Sequence, residues 1–193
     1  MGKSVEGSKS GTASEGISAG IPEYGVCEGV FHRISSGTTR DGLEVFGKME
    51  KGYLLSVDSN WDMYGDGYLS GHYFSEGALR EQLEKAYPGL VFTEEPVENQ
   101  INMYKRDKVG HILFLTVGNK TISGEEFRQL LELPSSNFTM QAADGKIRFL
   151  CKGQGHGLGL SQYGGNVLAK EGKSYKEILR YYFPECGVQK KDS

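Results

Sequence analysis

Cysteine is scarce in this sequence and badly spaced for chemistry. Cys27, Cys151 and Cys186 are odd in number and show none of the close pairs that mark zinc sites or redox motifs. Buried thiols are the expected reading, with a single disulfide as the open alternative. Long apolar runs are missing too: no stretch reaches the length that spans a bilayer, and residues 1–20 hold no apolar segment of the kind a secretory signal needs. Direct membrane insertion is therefore not expected of this chain. Nor is there a basic excess. The 22 Lys and Arg stand against 25 Asp and Glu, a net charge of −3, which argues against nucleic acid as a partner and offers no polybasic patch to a lipid surface. Nucleotide patterns also fail, because the glycines that begin at Gly153 lead to no Gly-Lys-Ser/Thr and to no strand-helix-strand unit ending in a ribose-binding acid.

What the sequence does have is glycine, 28 residues of it, concentrated in Gly153-Gln154-Gly155-His156-Gly157-Leu158-Gly159-Leu160-Ser161-Gln162-Tyr163-Gly164-Gly165. Glycine this dense lets a ligand or another stretch of chain approach the backbone closely, and it leaves His156 as the loop's one titratable group. Residues 165–171 read as a helix, so the loop would present free amides with His156, Ser161 and Gln162 at a helix start, a setting for a polar ligand. The competing reading is a tight strand-to-helix connection whose glycines serve packing and whose histidine is a hydrogen-bonded interior residue.

With 37% apolar and 11% aromatic residues, 193 residues can fill one core of ordinary size. Residues 1–20 have linker composition, 21–187 read as a single domain and 188–193 as a tail. Strand character runs from Val26 to His32, followed by a turn at Ser35-Ser36-Gly37-Thr38-Thr39, and Tyr53 to Val57 reads as a short strand. Ser75 caps a helix to about Tyr87. Asn102–Arg106 and Gly110–Val117 read as a hairpin around Asp107-Lys108, and Asp144-Gly145 is a strong hairpin signal between 137–142 and 146–151. Ser123 to Glu126 forms a capping box for a helix to about Leu133, and Ser174 to Glu177 caps the last helix, which stops near Pro184. Hairpins and short strands with about three segregated helices make an α+β fold. His72 and His111 are expected on the surface or on a strand face.

Three blocks carry a resemblance. The run from Gly155 to Gly164, with Ala169, Gly172, Ser174-Tyr175, Glu177-Ile178-Leu179 and Tyr181-Tyr182-Phe183-Pro184, resembles the closing signature of the stage II sporulation protein D and amidase enhancer family. Phe31-His32-Arg33-Ile34-Ser35-Ser36-Gly37-Thr38-Thr39-Arg40, with Tyr53 to Val57 after it, resembles that family's aromatic-His-x-x-Ser-x-Gly-x-Thr segment. The stretch from Glu126-Phe127-Arg128 through Leu133-Pro134-Ser135-Ser136-Asn137-Phe138 resembles its helix and following strand.

The resemblance implies an extracytoplasmic protein of the cell envelope acting on peptidoglycan, with glycan strands and another cell-wall hydrolase as partners and no cofactor. The family's sporulation member is a lytic transglycosylase, in which one carboxylic acid protonates the glycosidic oxygen and then helps the C6 hydroxyl attack the anomeric carbon. The family's Glu, and a His and Cys cluster resembling a zinc site, belong to a region before the first block that finds no counterpart in residues 1–31. The chain thus reads as the later part of the domain, with no assigned catalytic residue and no metal. Glu23, Glu28, Asp41 and Glu44 flank the first block without matching a family position. Neutral groups that suit sugar hydroxyls and acetamido groups remain: His32, Ser35, Ser36, Gly37, Thr39, Gly155, His156, Gly157, Ser161, Gln162 and Tyr163, the last as an aromatic wall. A zinc site on His32, His156 and Cys151 is short of ligands, and a Ser-His-acid triad on Ser36 or Ser161 lacks a third member. Two functions follow, transglycosylation of strands of N-acetylmuramic acid and N-acetylglucosamine, or non-catalytic glycan binding that assists another enzyme. A pure interaction module, a third class, would expose an apolar patch.

Overall fold

A computed structural model describes residues 20–21 and 25–187. The linker expected over 1–20, Gly20 apart, and the tail at 188–193 lie outside the described residues. In chain order the strands are β1 (Gly20–Ile21), β2 (Gly25–Val26), β3 (Phe31–His32), β4 (Leu69–Phe74), β5 (Ile101–Arg106), β6 (Ile112–Val117), β7 (Lys120–Ser123), β8 (Phe138–Ala143), β9 (Lys146–Lys152) and β10 (Leu160–Ser161). The helices are α1 (Gly42–Phe46), α2 (Glu76–Ala86), α3 (Gly124–Leu130), α4 (Gln162–Lys170) and α5 (Tyr175–Tyr182). Mixed α+β architecture holds as expected, with five α-helices among the described residues in place of about three.

Two three-stranded antiparallel sheets, in the orders β4-β9-β8 and β5-β6-β7, carry most of the pairing. Asp144 and Gly145, at φ 52° and 71°, turn β8 into β9, the left-handed pair that a two-residue hairpin requires. The β5-β6 turn is wider than Asp-Lys alone. Asp107 closes it by accepting from the Val109 amide at 3.2 Å and the His111 amide at 2.8 Å, while its own amide donates to the His111 carbonyl at 2.9 Å. Helix starts follow the serines: Ser75 caps α2, Ser161 caps α4, and capping boxes at Ser123/Glu126 and Ser174/Glu177 open α3 and α5.

Two expected strands dissolve. Tyr53–Val57 forms no ladder, because its polar backbone is spent on the irregular first block: the Leu54 carbonyl accepts from Gly42 at 2.7 Å and the Val57 carbonyl from Thr39 at 2.8 Å. The stretch from Val26 to His32 is interrupted over 27–30, leaving only the short β2 and β3.

The apolar interior has two clusters. Phe127, Phe138 and Phe149, with ring centroids 5.4–5.7 Å apart, sit in the first with Leu79, Leu83, Ile112, Leu115 and Cys151. The second gathers Tyr53, Leu54, Leu158, Leu168, Tyr182 and Phe183 around Cys27 and Cys186. Those two cysteines form a disulfide across a sequence separation of 159, their Cα atoms 6.6 Å apart. This corrects the expectation of buried thiols for all but Cys151, whose thiol burial pushes up to about 11. Distance along the chain hid the pair, because its two ends meet only in the folded state, within the second apolar cluster. A cross-link closing so long a loop removes much unfolded-chain entropy. Replacing both Cys27 and Cys186 by Ser is expected to cost about 2–5 kcal/mol, seen as a lower urea midpoint that dithiothreitol shifts in the parent and not in the variant.

Candidate functional site

The glycine loop lies directly on the first block. β3 and β10 pair in parallel with Phe31 opposite Leu160 and His32 opposite Ser161, and single bridges join Ile34 to Gln154 and Arg40 to Leu158. The Gln154 amide donates to the Ile34 carbonyl at 2.7 Å, and the Arg40 amide to the Gly157 carbonyl at 2.8 Å. Two glycines make so close an approach possible. A Cβ on Gly155, at φ 106°, would stand 2.8 Å from the His32 Cβ, and one on Gly157, at φ 77°, would stand 3.0 Å from both Arg40 Cδ and His111 Nε2.

The imidazoles gather here. His32 is buried, its Nδ1 donating to the Leu158 carbonyl at 3.0 Å, which leaves Nε2 as an acceptor with no hydrogen-bond partner in the structure. Its ring meets that of His156 edge-on at 5.8 Å between centroids. His156 is half-buried, with Nδ1 accepting from the Leu158 amide at 3.1 Å. His111, expected on a surface or strand face, is instead 1% exposed and joins this cluster, with Nδ1 3.0 Å from Ser136 Oγ and Nε2 3.5 Å from Ser36 Oγ. No local pattern marks it, since its partners come from the first and third blocks. His72, half-buried on β4, stands on a strand face as expected.

Burial lowers the pKa of all three. His32 falls to about 4 by desolvation, helped by His156 and opposed by its bond to Leu158. His111 falls well below 6.5 through burial and then through Arg40, His32, Arg128 and Arg106, while for His156 burial outweighs the opposing Glu125 and Phe31 carbonyl. At pH 7 these lowered values leave the cluster neutral in the folded state.

Most of the expected hydroxyls hold the fold. Ser35 Oγ accepts from the Gly37 amide at 3.1 Å, and Thr39 Oγ1 donates to the Leu55 carbonyl at 3.3 Å and accepts from the Val57 amide at 2.8 Å. Gly37, at φ 105°, completes the turn, its carbonyl accepting from the Ser59 amide at 2.9 Å. Ser161 is fully buried as the cap of α4, accepting from the Gly164 amide at 3.2 Å. Tyr163 donates its amide to the Arg33 carbonyl at 3.0 Å, and its ring lies against Gly65. Ser36 remains half-buried and Gln162 exposed.

A cavity of about 490 Å³ opens beside the cluster, between α1, β6 and the start of α3; His156 lines it with Arg40, Phe46, Leu54, Phe114, Leu158, Glu28 and Glu125. Glu125 is an acid that sequence reasoning missed, although it stands next to the third block. Its Oε1 is bonded to Arg128 at 2.6 Å, and Glu28 pairs with Lys51 at 3.5 Å. Two more carboxylates back the first block: Asp62 accepts from the Ser35 amide at 2.7 Å, and Asp107 pairs with Arg40 at 2.6 Å. Among the described residues no group of three or more His, Cys, Asp and Glu is placed to hold a metal ion.

Neutral buried imidazoles set a sign for stability against pH. Below 6.5 the unfolded chain takes up protons that the folded chain refuses, so stability present at pH 7 is lost as pH falls from 6.5, levelling off below about 4 for His32. His32 alone accounts for about 3 kcal/mol of that loss. Urea titrations at pH 7 and pH 4 are expected to show the drop in the parent and a smaller one in His32→Leu; equal drops would contradict the assignment.

No family model matches the chain. It is similar to the stage II sporulation protein D of Bacillus amyloliquefaciens, 30% identical over 166 residues, which is 86% of this chain and 46% of that protein. The protein of the same name from Bacillus subtilis (strain 168) is 28% identical over 167 residues, again 86% and 46%. The amidase enhancer of Bacillus subtilis (strain 168) is 32% identical over 88 residues, 46% of this chain and 12% of that protein. The chain spans about half the length of the sporulation proteins it matches. The chain is homologous to the stage II sporulation protein D family over most of its residues, those that hold the interlocked glycine loop and His-x-x-Ser-x-Gly block among them.

Proposed function

We propose that residues 21–187 act as one domain that binds the glycan strands of peptidoglycan outside the cytoplasm without cleaving them, and so assists another cell-wall hydrolase. The observation that carries this reading is the state of the acids around the motifs. Glu28, Asp107 and Glu125 are each paired with a cation, Lys51, Arg40 and Arg128 respectively, and Asp62 accepts from the Ser35 amide, so each has one oxygen already committed to the protein's own groups, while Asp62 Oδ1 and Glu125 Oε2 are buried without a partner. Neutral imidazoles and hydroxyls surround them, and groups of that kind hold sugar hydroxyls and acetamido groups without doing acid chemistry. The cavity beside His156 has the size and largely apolar lining of a ligand site. Similarity to an amidase enhancer supports the assisting role. The Cys27–Cys186 disulfide fits an oxidising compartment, which agrees with a place in the envelope. No helix among the described residues is long and apolar enough to cross a membrane.

One observation favours a second reading, lytic transglycosylation by this chain itself: Glu125 and His156 line the same cavity. Incubation of the 193-residue protein with peptide-stripped glycan strands separates the two. Strands retained by the protein, with no 1,6-anhydro ends by mass spectrometry, are expected. His156→Ala should weaken retention about tenfold, the scale of one lost hydrogen bond. Anhydro ends that vanish in Glu125→Gln would replace the binding reading with the catalytic one.

A further inference from the structure

An imidazole removed from water costs free energy unless its nitrogens find partners. His111, just before β6 and 1% exposed, finds two hydroxyls, Ser136 Oγ at 3.0 Å from Nδ1 and Ser36 Oγ at 3.5 Å from Nε2. Its backbone is clamped as well, its amide donating to Asp107 Oδ1 at 2.8 Å and its carbonyl accepting from the Asp107 amide at 2.9 Å. The Ile112 amide donates to the Ser136 carbonyl at 3.0 Å, so the hydroxyl behind the ring is fixed to the same strand. The whole assembly leads to one side chain. Among the hydroxyls of the first turn, Ser35 and Thr39 are buried and bonded within the chain, whereas Ser36 and Thr38 are half-buried, and of these two it is Ser36 that has its hydroxyl directed to His111. The carbonyl of Ser36 is held in turn by the Tyr68 hydroxyl at 3.2 Å.

We propose that His111 is a positioning residue that fixes the hydroxyl of Ser36 for a glycan ligand, with Ser136 setting the imidazole from behind. This rests on the glycan-binding reading above. Neutral imidazole has one N–H and one lone pair, so in either tautomer the Ser36 hydroxyl gives one hydrogen-bonding function to Nε2 and keeps the other for a ligand. Activation of Ser36 as a nucleophile is a poorer fit. A base that takes the serine proton becomes imidazolium, and here its outer nitrogen meets a neutral hydroxyl where a triad has a carboxylate, with Arg40 close by.

The test is a double-mutant cycle on the full 193-residue chain, read as affinity for peptide-stripped glycan strands. Ser36→Ala and His111→Phe are each expected to weaken binding about tenfold, and the double variant to be no weaker than either, because His111 acts only through Ser36. His111→Gln, whose amide reaches both hydroxyls, should recover most of the loss. His111→Asn, too short to bridge them, replaces the Phe variant if that one does not fold. Losses that multiply, or a His111→Phe variant that binds like the parent, overturn the proposal and leave glycan binding standing. A parent that retains no strands overturns the glycan reading and this proposal with it.

Discussion

Arg40 is the residue on which the site depends. Its Nε pairs with Asp107 at 2.6 Å in an interior where both side chains are almost wholly buried, and its Nη1 donates to the His156 carbonyl at 3.1 Å. Its own amide meets the Gly157 carbonyl. One side chain thereby joins three parts of the sequence that are remote from one another: the first block, the β5-β6 turn and the glycine loop. The desolvation cost of such a pair is offset only when every partner is in place, and deleting one member strands the other charge at a cost of about 3–5 kcal/mol. Asp107 extends the linkage, since the same carboxylate closes the turn that sets His111. The interlock of the blocks is therefore electrostatic at its centre and backbone-to-backbone around it.

A buried guanidinium has consequences for the chemistry nearby. With Arg40 acting on both His111 and His156, a further positive charge in the cluster is disfavoured, and burial acts in the same direction. Imidazoles so placed serve as fixed hydrogen-bonding groups more readily than as proton carriers, because proton transfer near neutral pH needs a pKa close to that pH. Geometry divides the remaining labour. Ser35, Thr39 and Ser161 spend their hydroxyls on turns and a helix cap, while Ser36, His156 and Gln162 keep some exposure at the edge of the interlock. The motif residues thus separate into those that build the site and those that remain available to a ligand.

Local signals were legible in the sequence and long-range ones were not. Asp144-Gly145 specified its hairpin because the left-handed pair is a property of two residues, and the serine caps of α2, α3 and α5 are readable within four. β4 escaped notice. Leu69–Phe74 alternates exposed with half-buried positions and earns its strand only by pairing with β9, nearly eighty residues on by sequence number. Tyr53–Val57 failed in the opposite sense, having strand composition but an irregular partner that takes its hydrogen bonds singly. His111 and Glu125 were missed for the same reason as the Cys27–Cys186 pair, since each acquires its neighbours from a distant segment.

Of the two readings of the glycine loop, close packing or ligand approach, close packing has a direct basis in the fold. At Gly155 and Gly157 the space that a side chain would need is occupied by His32, Arg40 and His111, which are the protein's own groups. The glycines are thus required by the chain against itself, and any ligand meets the result of that packing at its edge, where His156 faces the cavity. A loop of this kind contributes by holding neighbouring side chains at fixed separations, the 5.8 Å between the His32 and His156 rings among them. Rigid placement of neutral groups by backbone contact lowers the ordering cost that a polar ligand would otherwise meet on binding, and that is the physical sense in which, under the glycan-binding proposal, the packing motif would also serve recognition.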